Sequence, residues 1–156
     1  MKRYWVPIIS LLLLVLAPAL YGESGNQAKL NTTLFGAILF DGGSDFGIGG
    51  AVGYNLTPRV ELEGEGSIAI SDPTYYILSG GVLYNFDVQH EKISPYALGG
   101  VAHIGVSGAG GDTDLMLGGG IKYDIKKSFK IRFDLRFYVG DGSWTKISTG
   151  LMWSFD

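Results

Sequence analysis

Acidic and basic side chains gather in three stretches of the chain, and their spacing is the first sign of chemistry. Glu61, Glu63 and Glu65 occupy every second position. Two later stretches mix both signs at the same spacing: Lys122, Asp124, Lys130, Arg132, Asp134 and Arg136. Carboxylates beside a histidine such as His103 are able to act as acid and base in catalysis. If the same groups are buried, they must instead be paired with opposite charges.

Three further features bear on metals and cofactors. Gly110-Gly111-Asp112-Thr113-Asp114 resembles a calcium-binding turn, but one short acidic segment is more typical of an ordinary loop. The runs Gly47-Ile48-Gly49-Gly50 and Gly118-Gly119-Gly120 lack the strand-to-helix context of a nucleotide-binding loop. Cysteine is absent, which excludes thiolate metal sites and a thiol nucleophile. We therefore expect no metal site and no cofactor.

The charged residues alternate with apolar ones, which is the period of a β-strand. Glu61, Glu63 and Glu65 alternate with Leu62 and Gly64, whereas a helix would scatter the charges around its circumference. From residue 29 onward the whole chain divides into segments of this kind, separated by turn residues. The predicted strands are 29–40, 46–56, 60–70, 75–86, 94–106, 114–125, 129–139 and 144–155.

The connections between these segments are long enough for a hairpin and too short for a crossover helix. Neighbouring strands should therefore be antiparallel, in an all-β, eight-stranded, up-and-down barrel. A repeat supports this arrangement: Gly50-x-x-x-Tyr54-Asn55, Gly80-x-x-x-Tyr84-Asn85 and Gly119-x-x-x-Tyr123-Asp124 recur near the ends of alternate strands.

The first 22 residues have the pattern of a secretory signal peptide. Lys2 and Arg3 form a basic start, residues 6–16 are apolar, and small residues follow up to Gly22. The apolar stretch is about half the roughly 20 residues that a membrane-spanning helix needs. A retained anchor is the alternative. We predict a signal peptide over 1–22, cleaved after Ala19 or Gly22, and a mature barrel domain over 23–156.

Charge-free strands indicate which face of the barrel is outside. The segments 46–56 and 75–86 contain no Asp, Glu, Lys or Arg. In water their outer faces would form a wide apolar patch that favours aggregation, whereas in lipid such faces are ordinary. Charged residues are 17% of the chain, against roughly a quarter in soluble domains. The sequence therefore favours a membrane barrel over its chief alternative, a soluble carrier.

If the apolar faces of the strands point outward, two groups of side chains can be placed: aromatic residues on the outer face and charged residues in the lumen. Outward aromatics gather near the strand ends as the girdle of a membrane barrel. One rim is predicted to carry Tyr54, Tyr84, Phe86, Tyr96, Tyr123, Phe129, Trp153 and Phe155, and the other Phe46, Tyr76 and Phe137. The lumen is predicted to receive Glu61, Glu63, Glu65, Asp114, Lys122, Asp124, Lys130, Arg132, Asp134, Arg136 and Lys146. The orientation of strand 29–40 stays open, because it is apolar on both parities.

These features resemble the OmpA/OmpX-type small outer-membrane β-barrels, a group that includes opacity-like surface proteins. The resemblance lies in glycine-rich strands such as 46–54, in the strand start Pro95-Tyr96-Ala97-Leu98-Gly99-Gly100, and in the closing residues 150–155. It implies insertion into the outer membrane of a Gram-negative-type bacterium after removal of the signal peptide. It also implies that the barrel-assembly machinery recognises the last strand, where Phe155 is the penultimate residue.

Eight strands enclose only enough space for side chains, so the balanced lumen charges predict a salt-bridged plug. We therefore expect a structural or surface role, no catalytic residues, a monomeric state, and contacts with outer-membrane lipids and lipopolysaccharide. A porin-like ion path through the acidic cluster is the alternative. A less favoured one is an enzyme that modifies lipid A, which needs Ser, His and an acid facing lipid, whereas His103 falls on the predicted lumen parity.

Two other functions, adhesion and nucleic-acid binding, are disfavoured. An adhesin usually carries long extracellular loops, whereas the predicted loops 41–45, 71–74, 107–113 and 140–143 are short. A formal net charge of −3 with no basic patch gives no sign of nucleic-acid binding.

Overall fold

The computed structural model describes residues 30–89, 91–140 and 142–155. The predicted signal peptide over 1–22 and both candidate cleavage sites lie outside the described residues, as do Lys29 and Asp156. In the described part of the chain, no helix is long and apolar enough to cross a membrane.

Eight antiparallel strands, joined in chain order, form a closed barrel, which confirms the predicted fold class. The strands are β1 (Leu30–Phe40), β2 (Ser44–Asn55), β3 (Val60–Ile70), β4 (Tyr75–Asn85), β5 (Ile93–Val106), β6 (Gly111–Lys126), β7 (Phe129–Val139) and β8 (Ser143–Phe155). Closure is made by β8 against β1, with Leu30 opposite Phe155 and Phe40 opposite Thr145. Because the sheet closes on itself, every described strand has a neighbour on both sides.

The connections give the barrel two different ends. The loop end carries the segments 41–43, 71–74, 107–110 and 140–142, and the turn end carries 56–59, 86–92 and 127–128 together with Leu30 and Phe155. β6 begins three residues before its predicted start, because residues 111–113 pair with 103–105 of β5. Its loop is correspondingly shorter than predicted.

Burial alternates along the strands and separates a lumen face from an outer face. On β3 the three glutamates at 61, 63 and 65 are buried. Leu62, which lies between two of them, and Ile68, which follows them in the strand, are exposed. Leu34 and Ile70, on outward parity, are 63% and 61% exposed. The open orientation of the first strand is settled by Asn31, which is buried, together with the other odd-numbered residues of β1. An apolar outer face over a polar interior is the arrangement of a barrel surrounded by lipid.

One strand has the opposite phase to the prediction. On β5 Tyr96, Leu98 and Ala102 are buried in the lumen, and Val101 is exposed. The girdle position predicted for Tyr96 and the lumen position predicted for His103 are therefore both wrong. β5 contains no Asp, Glu, Lys or Arg, so alternation alone left its phase undetermined. The phase is set in space, where the Tyr96 hydroxyl accepts a hydrogen bond from Arg132 Nε at 2.8 Å.

Glycines on the lumen face leave space for large polar side chains. A Cβ atom at Gly53 would lie 2.0 Å from Glu61 Oε1, and one at Gly120 would lie 2.0 Å from the carbonyl oxygen of Phe133 and 2.6 Å from the Tyr96 hydroxyl. Real Cβ atoms do not approach other atoms so closely. These strand glycines are therefore required by the packing of the lumen.

Gly120→Ala should lower the stability of the barrel, because the added methyl group must displace backbone or the buried Tyr96 ring. Overpacking of this kind costs about 1–3 kcal/mol. The matched control is Gly64→Ala, where no atom lies within 4 Å of the added Cβ. The measurement is the urea concentration at which the folded, faster-migrating band on a cold SDS gel is lost. Equal midpoints for both variants would contradict the packing role of Gly120.

Candidate functional site

An ionic layer crosses the middle of the barrel lumen. β3 and β7 are four strands apart in either direction around the closed barrel, so they lie on opposite walls. Side chains at every second position of each strand point inward. From these two walls come Glu61, Glu63, Glu65, Arg132, Asp134 and Arg136, all buried. The period-two charge pattern in the sequence thus becomes a set of contacts across the full width of the lumen.

Arg136 lies at the centre of this layer and is 1% exposed. Its Nη2 atom is 2.8 Å from Glu63 Oε1, and its Nη1 atom is 2.9 Å from Glu65 Oε2. The same guanidinium contacts Asp134 on its own strand, at 2.9 Å from Nη2 and 3.1 Å from Nε. Its Nη1 atom also lies 3.5 Å from the sulfur of Met116. One side chain therefore joins β7 to β3 through several charge-assisted hydrogen bonds.

Arg132 makes a second junction, four residues nearer the turn end on the same strand. Its guanidinium forms an ion pair with Glu63 through both Nη atoms, and its Nη2 atom is 2.6 Å from Asp134 Oδ2. The guanidinium carbon lies 4.9 Å from the centre of the Tyr96 ring. Tyr96 therefore contributes a hydrogen-bond acceptor and an aromatic face to the same cation, which is a favourable use of a buried tyrosine.

Two lysines extend the layer, Lys122 toward the turn end and Lys146 toward the loop end. Lys122 Nζ is 2.5 Å from Glu61 Oε2 and 3.0 Å from Asn85 Oδ1, and Asn31 Nδ2 donates to Glu61 Oε1 at 3.0 Å. Lys146 is fully buried, pairs with Glu65, and has its ammonium 4.8 Å from the centre of the Phe35 ring. Each lysine is thus tied to one glutamate of β3.

The charges of the layer cancel. Four carboxylates and four cations are buried there, namely Glu61, Glu63, Glu65, Asp134, Lys122, Arg132, Arg136 and Lys146. Asp114 is a further buried carboxylate at the loop end, beside Gly140. Transfer of an ion from water to a protein interior costs several kcal/mol, and only good pairing offsets that cost. The cancellation explains how a narrow interior tolerates so many charges.

The other predicted lumen pair lies nearer to water. Lys130 Nζ is 2.9 Å from Asp124 Oδ1, and these side chains are 21% and 32% exposed at the turn end. Its contribution to stability is that of a partly screened ion pair, about 0–1 kcal/mol.

The residues predicted for the aromatic girdle lie on the outer face near the turn end, apart from Tyr96. Tyr54, Tyr84 and Phe86 are exposed, and the Tyr84 and Phe86 rings pack edge to face at 5.3 Å. Tyr123 and Phe155 are also exposed on the outer face. Trp153 is half-buried and lies 5.7 Å from the Phe129 ring. At the loop end, Phe46, Tyr76 and Phe137 are exposed.

Between the ionic layer and the loop end the lumen is mainly apolar, apart from the buried Asp114 carboxylate. Ile77, Ile104 and Tyr138 are buried there, and the Tyr75 and Trp144 rings pack edge to face at 5.2 Å. Within the ionic layer the remaining cavity is ≈ 10 Å³, lined by Glu65, Arg132, Asp134, Arg136 and others. That volume is at the lower limit for a single water molecule. Side chains therefore fill the lumen at the ionic layer, and a cluster of buried apolar side chains packs beyond it toward the loop end.

His103 faces outward at the loop end, in contrast to its predicted position. Its Nδ1 atom lies 3.3 Å from the Thr113 hydroxyl, and its ring centre is 6.2 Å from that of Tyr76. Across the described ranges, no ion pair joins His103 to a carboxylate, and no group of three or more His, Asp or Glu residues is placed to hold a metal ion. The calcium-like segment 110–114 is mostly strand, since β6 begins at Gly111.

Three contributors to the layer were not identified from the sequence: Asn31, Asn85 and Tyr96. A signal for Asn85 was present in the repeat, where Asn55 and Asn85 each follow a girdle tyrosine and so fall on inward parity. No comparable signal marked Tyr96, because its partner Arg132 is distant in sequence.

A family profile described as "Outer membrane protein beta-barrel domain" matches residues 8–155. Solved barrels of the same fold include the N-terminal β-barrel domain of Pseudomonas aeruginosa OprF, 24% identical over 81% of this chain and 98% of that chain, with a TM-score of 0.66. Neisserial surface protein A is 16% identical over 85% of this chain and 100% of that chain, with a TM-score of 0.63.

A third solved structure is Ail, the attachment invasion locus protein of Yersinia pestis. It is 15% identical over 83% of this chain and 99% of that chain, with a TM-score of 0.53. At these identities the likeness concerns the fold alone. No curated protein matches the chain.

Arg136→Met should destabilise the barrel strongly, because it leaves Glu63, Glu65 and Asp134 with fewer cations in a buried layer. Removing one partner of a buried ion pair typically costs about 3–5 kcal/mol. Lys130→Met is the matched control and should cost about 0–1 kcal/mol, because the Lys130 ammonium is partly hydrated. Urea unfolding in detergent micelles, followed by tryptophan fluorescence, measures both. Similar losses in the two variants would argue against the layer as the main polar contribution to stability.

Proposed function

Because the chain belongs to the outer membrane protein beta-barrel domain family, we propose that it is a structural or surface barrel of the outer membrane whose lumen is closed by its own side chains. The observation that carries this proposal is the ionic layer around Arg136, with its residual cavity of ≈ 10 Å³. A diffusion pore needs a continuous aqueous path, and this volume provides none. The barrel is then a structural component of the outer membrane and does not transport solutes.

The proposal includes an orientation and a set of partners. The turn end, with Leu30 and Phe155, faces the periplasm, and the barrel-assembly machinery recognises β8 through the exposed Phe155 ring. The apolar outer face contacts outer-membrane lipids and lipopolysaccharide between the two aromatic girdles. The closed ladder presents no unpaired strand edge for a second copy, which supports a monomer.

Two other roles have less support. The loops span only 41–43, 71–74, 107–110 and 140–142, which leaves little surface for adhesion, although the similar barrel Ail is named as an attachment protein. Catalysis by His103 would require an acid to orient the imidazole and a nucleophile within reach. Thr113 is the hydrogen-bonding neighbour of His103 in the described structure, and it supplies no such acid. We propose that the barrel is not an enzyme.

Planar-bilayer recordings test the closed lumen directly. The wild-type barrel should give no discrete, reproducible openings, because its ionic layer fills the cross-section. The double variant Glu63→Ala/Arg136→Ala removes one charge of each sign and most of the central volume, so it should conduct if it folds. The cold-gel mobility shift checks folding of each sample before the recording.

The channel alternative makes the opposite prediction for the wild-type barrel. Discrete openings in the wild type that disappear in Glu63→Ala would support a porin-like path through the acidic cluster and would overturn the closed lumen.

A loop-replacement variant tests the structural role against adhesion. In cells that lack the protein, we expect leakage of periplasmic enzymes into the medium to rise. The wild type should restore the barrier, and so should a barrel whose segments 41–43, 71–74, 107–110 and 140–142 are replaced by Gly and Ser of equal length. Failure of that variant, at equal amounts in the outer membrane, would indicate a role for the loops instead.

A further inference from the structure

A polar cavity of ≈ 730 Å³ occupies the turn end of the lumen. We call it the vestibule. Its lining comes from every strand except β3 and from the three connections at this end. It consists mainly of hydrogen-bonding and charged side chains: Asn31, Asn55, Arg59, Asn85, Asp87, Ser94, Lys122, Asp124, Lys127, Ser128, Lys130 and Ser154, with Pro58, Phe86 and Met152. The volume falls in the range of small-molecule sites, about 300–1,000 Å³.

The vestibule is closed at its inner end. Its floor is formed by Lys122, Asn31 and Asn85, which are linked through Glu61 and a direct Lys122–Asn85 hydrogen bond. Immediately beyond the floor, Arg132 and Tyr96 belong to the ionic layer. Arg59, Asp87 and Lys127 at the other end of the vestibule are exposed. The vestibule is thus a dead-end pocket with one mouth.

Positive charge is in excess in the lining. Four cations, Arg59, Lys122, Lys127 and Lys130, face two carboxylates, Asp87 and Asp124. Asp124 is occupied by Lys130 at 2.9 Å, and Asp87 lies 3.4 Å from Arg59. Lys122 is balanced by Glu61 behind the floor. Lys127 has no ion-pair partner among the described residues, so its ammonium is free to meet an anion.

The distribution of charge along the barrel favours the same ligand. At the loop end, the described residues of the segments 41–45, 71–74, 107–114, 140 and 142–143 contain no Lys or Arg and hold the aspartates Asp41, Asp45, Asp72, Asp112 and Asp114. The basic side chains of the connections belong to the turn end. A gradient of this kind draws anions toward one mouth of a molecule and away from the other.

We propose that the vestibule binds a small hydroxylated anion, that is, a sugar-sized molecule carrying one phosphate or carboxylate group. The asparagine amides and serine hydroxyls of the wall offer donors and acceptors for its hydroxyl groups, while Lys127 at the mouth meets the anionic group. In the orientation proposed above, such a ligand comes from the periplasm. Binding of this ligand depends only on the lining of the vestibule and is independent of the proposed structural role.

The test is a titration of the folded, isotopically labelled barrel in micelles, followed by the side-chain amide NMR signals of Asn31, Asn55 and Asn85. The probes are glucose 6-phosphate and glucuronate, with glucose and inorganic phosphate as the neutral and the hydroxyl-free comparisons. We expect saturable shifts of these amides with one or both organic anions, and at least about fivefold weaker binding of glucose and inorganic phosphate. Response to one anion alone identifies the phosphate or the carboxylate as the source of the charge.

Variants at two exposed lysines separate a site from general attraction. Lys127→Gln should weaken binding by about fivefold, the effect of losing one partly hydrated charge contact. Lys92→Gln removes the same charge from a turn residue outside the lining and should leave the affinity unchanged. Equal weakening in both variants, equal binding of glucose and the organic anions, or no shift at about 10 mM of any probe would each overturn the proposal.

Discussion

Ion pairs across the lumen connect β3 with β6, β7 and β8. The packing of the other lumen side chains follows from these ion pairs. A β-barrel of eight strands has room inside only for side chains, so whatever lies on its inward parity must be satisfied there. Four carboxylates and four cations meet this requirement together, with Arg136 in contact with three of the carboxylates. Loss of one member costs about 3–5 kcal/mol, a large fraction of the 5–15 kcal/mol that stabilises a typical small domain.

Other features of the lumen follow from the space and partners that this layer requires. Gly53 and Gly120 leave space for Glu61 and for Tyr96, since a Cβ atom at either position would collide with them. Tyr96 turns inward because Arg132 offers its hydroxyl and its ring a cation. On one side of the layer the lumen is apolar, around Ile104. On the other side it opens into the vestibule, whose floor is the outermost ion pair of the layer, Lys122 with Glu61.

Toward the loop end the lumen is packed with apolar side chains, whereas at the turn end it opens into the vestibule. The two ends of the molecule therefore differ in their ability to bind a ligand inside the lumen. The loop end has short, acidic connections above an apolar plug, so it offers little to a ligand that must enter the lumen. The turn end has a water-accessible pocket with excess positive charge, closed by the ionic layer. The ionic layer therefore blocks a continuous pore and also forms the closed inner end of the vestibule.

Much of this architecture was predictable from the sequence. Alternation with a period of two identified the strands, their short connections required antiparallel neighbours, and charges on one parity of the third and seventh strands placed those residues inside. The predicted phase of the fifth strand is wrong, because neither of its parities carries an acidic or basic side chain and both contain apolar residues. Tyr96 then resembled a girdle aromatic, and His103 was placed in the lumen by the same error.

The number of strands, their order and the inward set of charges follow from local periodicity and from the length of the connections, so they can be predicted without a structure. The pairing of the charges, the faces that β1 and β5 turn to the lumen, and the division of the interior into an apolar plug, an ionic layer and a vestibule are visible only in the folded barrel. These features depend on distances across the barrel. Glu63 and Arg136 are 73 residues apart in the chain, and closure of the sheet brings them to 2.8 Å.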